Sequence, residues 1–392
     1  MHSFVRSAVF ALIGGSLLLA ACAPASTATP TAAATSPSAG QETPTTAATM
    51  AATETPAPTQ AAAGSIALTG AGATFPYPVY STWFYNYAFV DPSVKFNYQS
   101  IGSGGGIQQI TKKTVDFGAS DAILSSDQLA AAPSLQMFPM VAGAVVPSYN
   151  VSELKDAKPL IFDGTTLANI FLGKITKWND PAIAALNPGV TLPDKSIVVA
   201  HRSDGSGTSF IFTSYLSAVS DEWKTKVGAS TSVQWPVGLG GKGNEGVSGL
   251  VAQNDGAIGY IELAYAIQNK LAMASMKNQA GTTLQASIET TQNAMSDFSG
   301  QMPDTLARLI VNAPGANSWP ISGYTYFLVY MNQTDCTKAS KIVQFMHWAL
   351  TSGTKYASDL DYVPLPDAVR TQVFNKLDQL TCNGQPLPTA AQ

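Results

Sequence analysis

Three times in this chain an apolar run of strand length stops at a turn of Gly, Ser and Thr and is followed by apolar residues at helical spacing. Few folds accept that succession. A strand that passes through a short turn into a helix is half of a βαβ unit, and alternation of such units argues for an α/β domain. The first unit is the strand Ile66–Thr69, a Gly-rich turn, and then Tyr80, Trp83, Phe84 and Tyr87 at i, i+3, i+4 and i+7, with Pro76 or Pro78 near the helix start. The second is Val94–Tyr98, the turn Gly102–Gly106, and a helix opening at Ile107 and Ile110. The third runs from Ile197 to Ala200, then Arg202 and a Gly/Ser/Thr turn, then Ile211, Phe212, Tyr215, Leu216 and Val219. A further strand, Val115–Ala119, delivers Asp121 at its C-terminal end, and alternation continues through Pro159–Phe162, Leu167–Leu172, Ala257–Ile261 and Leu263–Ile267. The apolar run Tyr324–Tyr330 and a helix through Ile342, Phe345, Met346 and Ala349 follow, with no internal repeat.

Each turn by itself is as well explained by an ordinary strand-to-helix connection as by a site. The first N–H groups of a helix have no intrahelical partner and the dipole there favours negative charge, so a helix start beside Arg202, with Ser206 and Thr208 as extra donors, suits a small oxyanion. Thr74 stands where an N-cap or an anion donor would stand, and the glycines around Ser103 let backbone N–H groups come close to a ligand. No Gly-Lys-Ser/Thr follows, so this is not a nucleotide-binding P-loop. Ligands of open α/β sheets gather at the carboxyl ends of strands, and three such turns plus Arg202 and Asp121 can converge there. Asp121 either caps the next turn or faces the anion. In the second case it accepts a proton that the anion must carry, which favours phosphate over sulfate. Asp204 either pairs with Arg202 or caps the Gly205 turn.

With 45% hydrophobic and 12% charged residues the chain is globular, and at 392 residues it suggests two domains. Its formal charge of −4 gives no basic patch for nucleic acid, and an anion would be held by local geometry against the overall field. Beyond the N-terminal segment only His201 and His347 occur, far from any Cys or carboxylate cluster, so neither a metal nor a cofactor is expected. His2 and Arg6 precede the apolar run Val9–Leu19, and Leu19-Ala20-Ala21-Cys22 has the form of a lipobox. This predicts a signal peptide over 1–21 and lipidation of Cys22, which anchors an exported protein at the outer face of the cytoplasmic membrane. Residues 22–64 are almost entirely Ala, Thr, Pro, Ser and Gln, with Glu42 and Glu54 as the only charges, a tether with a reach of roughly 35 Å. Cys336 and Cys382 are either a disulfide, as an even count in an exported protein suggests, or two separate buried thiols.

On TGAGATFPYPVY (69–80), QSIGSGGGIQQ (99–109), VDFGASD (115–121), LGKITKW (172–178), RSDGSGTSFIFTSY (202–215), WPVGLGGKGN (235–244) and DLDYVPLP (359–366), the chain resembles the substrate-binding proteins of bacterial phosphate-specific ABC importers. The likeness extends from about Ser65 to about Val369. It implies a two-lobed periplasmic-binding-protein-like fold of type II, with 65–143 plus 322–392 as one lobe and 144–321 as the other. Two crossovers, near Val141–Pro147 and Trp319–Ser322, would join them. It further implies a phosphate held by Thr74, Phe75 through its N–H, Ser103 and Asp121 from the first lobe and by Arg202, Ser206, Gly207 and Thr208 from the second, with permease subunits as partners. Two departures stand out: Gly104 where many members have a second Ser, and His201 where a basic residue is common.

A hydrolase using Ser103 or Ser206 is the main rival, but no general base and no Gly-x-Ser-x-Gly elbow accompany either residue. The same fold could also bind sulfate or molybdate, or serve to sense phosphate without importing it.

Overall fold

The computed structural model describes residues 64–300 and 302–387. The predicted signal segment, Cys22 and residues 23–63 of the tether lie outside the described residues.

The strands run further than their apolar runs. Ile66–Gly72 passes Thr69 into the glycines of the turn, Val94–Ser100 passes Tyr98, and Val198–Arg202 carries Arg202 as its last residue. Pairing of the backbone explains the extra length. Ile66–Gly72 lies parallel to Val94–Ser100 over its whole length and to Phe117–Ser120 over Gly70–Gly72. Glycine at 70 is required by this neighbour, since a Cβ there would lie 2.1 Å from the Phe117 ring. The helices that follow are Tyr77–Val90, with Pro76 at the N-cap and Pro78 in the first turn, then Ser103–Thr111 and Gly207–Val219. The second begins at Ser103, four residues ahead of the first apolar residue Ile107, because its first turn is glycine and packs backbone against the strand end at Gly72.

The principal sheet has the order Val94–Ser100, Ile66–Gly72, Phe117–Ser120, Ser322–Tyr330, Leu135–Asn150, Ala257–Glu262, Val198–Arg202, Leu239–Gly241. Its centre is Leu135–Asn150, a strand of 16 residues. Leu135–Ala144 pairs antiparallel with Ser322–Tyr330, while Val145–Asn150 pairs antiparallel with Ala257–Glu262. The strand thus changes partner between Ala144 and Val145, where the Val145 N–H donates to the Ile321 carbonyl (2.8 Å). Residues 141–147 are therefore inside regular structure. The sequence LQMFPMVAGAVVPSYN has no period of two because it is buried on both faces, and Pro139 is accommodated at a register shift opposite Thr325 and Tyr326.

Tyr80, Trp83 and Tyr87 are buried against Phe327 and Phe345, so the aromatic stripe of the first helix is core. Cys336 and Cys382 form a disulfide with Cα atoms 5.4 Å apart, fastening the start of the helix Cys336–Ala349 to the short C-terminal strand Thr381–Cys382. A crosslink across a separation of 46 residues stabilises by up to about 4 kcal/mol through the unfolded chain's entropy. Replacing both cysteines by alanine is expected to lower the urea midpoint accordingly and to leave the far-ultraviolet circular dichroism of the native protein unchanged.

Candidate functional site

The carboxyl ends of the strands Ile66–Gly72, Phe117–Ser120 and Val198–Arg202 and the starts of the helices at Ser103 and Gly207 meet at one place. Ser103 Oγ accepts from the Asp121 N–H (3.2 Å) and from the Gly207 N–H (3.0 Å). Gly104 N–H donates to the Gly205 carbonyl (2.9 Å). Such closeness needs glycine on both sides. A Cβ on Gly207 would lie 2.4 Å from Asp121 Oδ2, and one on Gly102, whose φ is +86°, would lie 2.2 Å from Asp204 Oδ2.

Arg202 is only 3% exposed. Its Nε and Nη2 donate to Asp204 Oδ1 and Oδ2 at 2.7 and 2.6 Å, a two-pronged pair that fixes the guanidinium plane. Burial alone would raise the Asp204 carboxyl, yet Arg202 and the Gly243 N–H hold it below its usual range. The helix cap after this turn is Ser206, whose Oγ accepts from the Ser209 N–H (3.0 Å). Arg202 Nη1 lies 3.4 Å from Thr208 Oγ1. His201 stacks on Trp235 at 4.9 Å between ring centroids.

Thr74 and Phe75 sit in a turn whose carbonyls are tied back by tyrosines. Tyr98 donates to the Ala73 carbonyl (2.7 Å), Tyr265 to Thr74 (2.7 Å) and Tyr362 to Phe75 (2.6 Å). With the carbonyls held, the Phe75 N–H is left without an acceptor among the described residues. Tyr362 has one proton, and the Phe75 carbonyl takes it. The 2.9 Å contact between Tyr362 Oη and Glu262 Oε2 then calls for a proton on Glu262, and complete burial does push that carboxyl well up. Sequence reasoning assigned no role to these tyrosines or to Glu262. Asn244 stands in the sequence only as the last residue of the run WPVGLGGKGN, yet this buried amide bridges Thr74 and Thr208. Tyr265, Tyr362, Glu262 and Asn244 lie far from the Thr74 turn in sequence, and an aromatic or acidic residue in an apolar run carries no mark of what its polar atom meets.

Asp121 is 3% exposed and does not cap the next turn: Ser120 Oγ accepts from the Ala122 N–H instead. Its Oδ2 is 3.5 Å from Ser103 Oγ, and its Oδ1 has no hydrogen-bond partner. Burial pushes the carboxyl up to about 7, against the opposing influence of Thr325, Arg202 and Ser103. Thr74, Phe75, Ser103, Asp121, Arg202, Asp204, Ser206, Gly207 and Thr208 are thus neighbours; the Phe75 N–H has no acceptor and Asp121 Oδ1 no donor among the described residues, while the Gly207 N–H is taken by Ser103. No group of His, Cys, Asp and Glu fit to hold a metal ion occurs among the described residues.

The family model for the PBP superfamily domain matches residues 31–352. The phosphate-binding protein PstS of Pasteurella multocida is 49% identical over 304 residues, covering 77% of this chain and 87% of that protein. PstS of Haemophilus influenzae is 49% identical over 308 residues, covering 78% and 91%. Among solved structures, the phosphate-binding protein from Stenotrophomonas maltophilia aligns with a TM-score of 0.60 at 20% identity, covering 79% of this chain and 94% of that one, which is a likeness of fold.

The raised carboxyl of Asp121 has a stability consequence whose sign is fixed. A folded-state pKa of about 7 against an ordinary 3.8 means that the folded protein holds the proton more tightly, so stability falls as pH rises between those values. Asp121→Asn, which does not titrate, is expected to be more stable than the parent at pH 8 in oxyanion-free buffer, by up to about 4 kcal/mol. The advantage should disappear near pH 4. Urea unfolding at both pH values measures it, and an equal difference at both would refute the assigned shift.

Proposed function

The chain belongs to the PBP superfamily and, within it, to the PstS family of phosphate-binding proteins, and from that premise we propose that it binds one inorganic phosphate and delivers it to an ABC importer without catalysing a reaction. Thr74, Phe75, Ser103 and Asp121 hold the anion from one lobe, residues 65–143 with 322–392. Arg202, Ser206, Gly207 and Thr208 hold it from the other, residues 144–321. Asp204 keeps the guanidinium in place. The lobes hinge where the long strand changes partner and where the chain returns at Trp319–Ser322. Closure removes water from both sides of the anion and strengthens each charge-assisted bond.

The observation that carries this reading is the buried, unpartnered Oδ1 of Asp121 within an otherwise donor-rich cup. A carboxylate beside a bound anion repels it unless one proton lies between them. Phosphate brings that proton, and sulfate does not. The signal peptide over 1–21, lipidation of Cys22 and the tether over 22–64 complete the proposal: the binding domain is held at the outer face of the cytoplasmic membrane, within reach of the permease subunits.

Calorimetry of anion-stripped protein with phosphate should give a Kd near micromolar, about −8 kcal/mol, and no binding at millimolar phosphate would overturn the assignment. Arg202→Ala removes the only cation proposed to touch the anion and should weaken binding at least tenfold.

Sulfate offers a sharper test, because a group with a pKa of about 7 can supply the missing proton itself. Above that pH the protonated fraction of Asp121 falls about tenfold per unit. Sulfate affinity is therefore expected to rise about tenfold per unit from pH 9 down to 7 and then level off, while arsenate, which carries its own proton, competes with phosphate throughout. A sulfate affinity independent of pH would remove Asp121 from the selectivity argument.

A further inference from the structure

We propose that Asn244 is a positioning residue that fixes the direction of two ligand-facing hydroxyl protons, one on each side of the cleft; the inference rests on the phosphate reading above. Asn244 is fully buried near the start of the helix Gly243–Gln253. Its Oδ1 accepts from the Glu262 N–H (3.1 Å), and this decides the orientation of the amide, since the reversed amide would set a donor against a donor. The two protons on Nδ2 are then directed to Thr74 Oγ1 (2.9 Å) and Thr208 Oγ1 (3.1 Å).

A threonine hydroxyl has one proton to give and two lone pairs to fill. Thr74 Oγ1 also accepts from the Asn244 backbone N–H (3.2 Å), and Thr208 Oγ1 has Arg202 Nη1 at 3.4 Å. Both lone pairs of each oxygen are therefore matched with donors. Only the proton remains on either hydroxyl, and neither proton has an acceptor among the described residues.

Two consequences follow for the anion. Thr74 and Thr208 can act only as donors, already oriented before the ligand arrives, which spares the cost of ordering them on binding. They also cannot accept a proton from it, so the P–O–H of a bound phosphate has Asp121 as its acceptor. Asn244 therefore supports selectivity through Thr74 and Thr208, the two hydroxyls that its amide directs.

The test is a double-mutant cycle on the whole protein, stripped of anions and titrated calorimetrically with inorganic phosphate. Asn244→Ala is expected to weaken binding at least tenfold in the parent. In a Thr74→Val/Thr208→Val background, where the hydroxyls it directs are gone, it should change affinity less than threefold. Equal losses in the two backgrounds, or no loss in the parent, would overturn the proposal. Asn244→Asp keeps the size of the side chain and provides the same test should the alanine variant not fold. Its carboxylate would accept both hydroxyl protons and turn them from the ligand, so phosphate binding relative to the parent should be weaker at pH 8 than at pH 5.5, where the carboxyl regains a proton. A ratio that does not move with pH would also overturn it. A parent that binds no phosphate refutes the functional reading itself, whereas a parent that binds while both variants match it refutes this inference alone.

Discussion

A buried guanidinium has to be neutralised, and the way Arg202 is neutralised sets the character of everything around it. Asp204 takes two of its N–H groups and balances its charge. Asp121 is equally buried, and that desolvation pushes its carboxyl up to about 7; Arg202, already paired with Asp204, opposes the rise without cancelling it. A second Arg in the cup would lower that value and would also make the site attractive to any oxyanion. In the proposed site, selectivity for an anion that carries a proton comes from a negative charge left uncompensated, at a cost in stability near neutral pH.

Such a site works only if its donors cannot swing away, and the surrounding residues hold them from behind. Three tyrosines occupy the carbonyls of Ala73, Thr74 and Phe75, so the turn presents its N–H side. Asn244, with Arg202 at Thr208, fills the lone pairs of the Thr74 and Thr208 hydroxyls. Tyr265 and Asn244, from elements far along the chain, are joined to the first turn, and Tyr362 meets Glu262 where the long strand changes partner. The polar network that shapes the cup is consequently the same network that spans the crossing between the two halves of the sheet. Movement of one half against the other would be felt directly at the hydroxyls.

How much of this is legible in the chain depends on whether a residue's role is local. Strand followed by glycine turn followed by helix is a local pattern, and Ile66–Gly72, Ser103–Thr111 and Gly207–Val219 form close to where periodicity puts them. The helix cap at Ser206 and the Arg202–Asp204 pair each span four residues or fewer, within the range over which spacing is informative. The strand Leu135–Asn150 is not recognisable as one element, because burial on both faces erases the alternation by which a strand is identified.

The sequence by itself determined the α/β alternation, the glycine turns at strand ends and the residue types of the cup, since each follows from spacing within a few positions. The tertiary structure alone decided which polar atoms are filled and which are left open. It brought Tyr362 to Phe75 and Asn244 to Thr74 across separations of 287 and 170 residues. It also buried Asp121 beside a guanidinium that Asp204 had already claimed. Hydrogen-bond satisfaction and desolvation depend on neighbours in space, and no pattern along the chain encodes them.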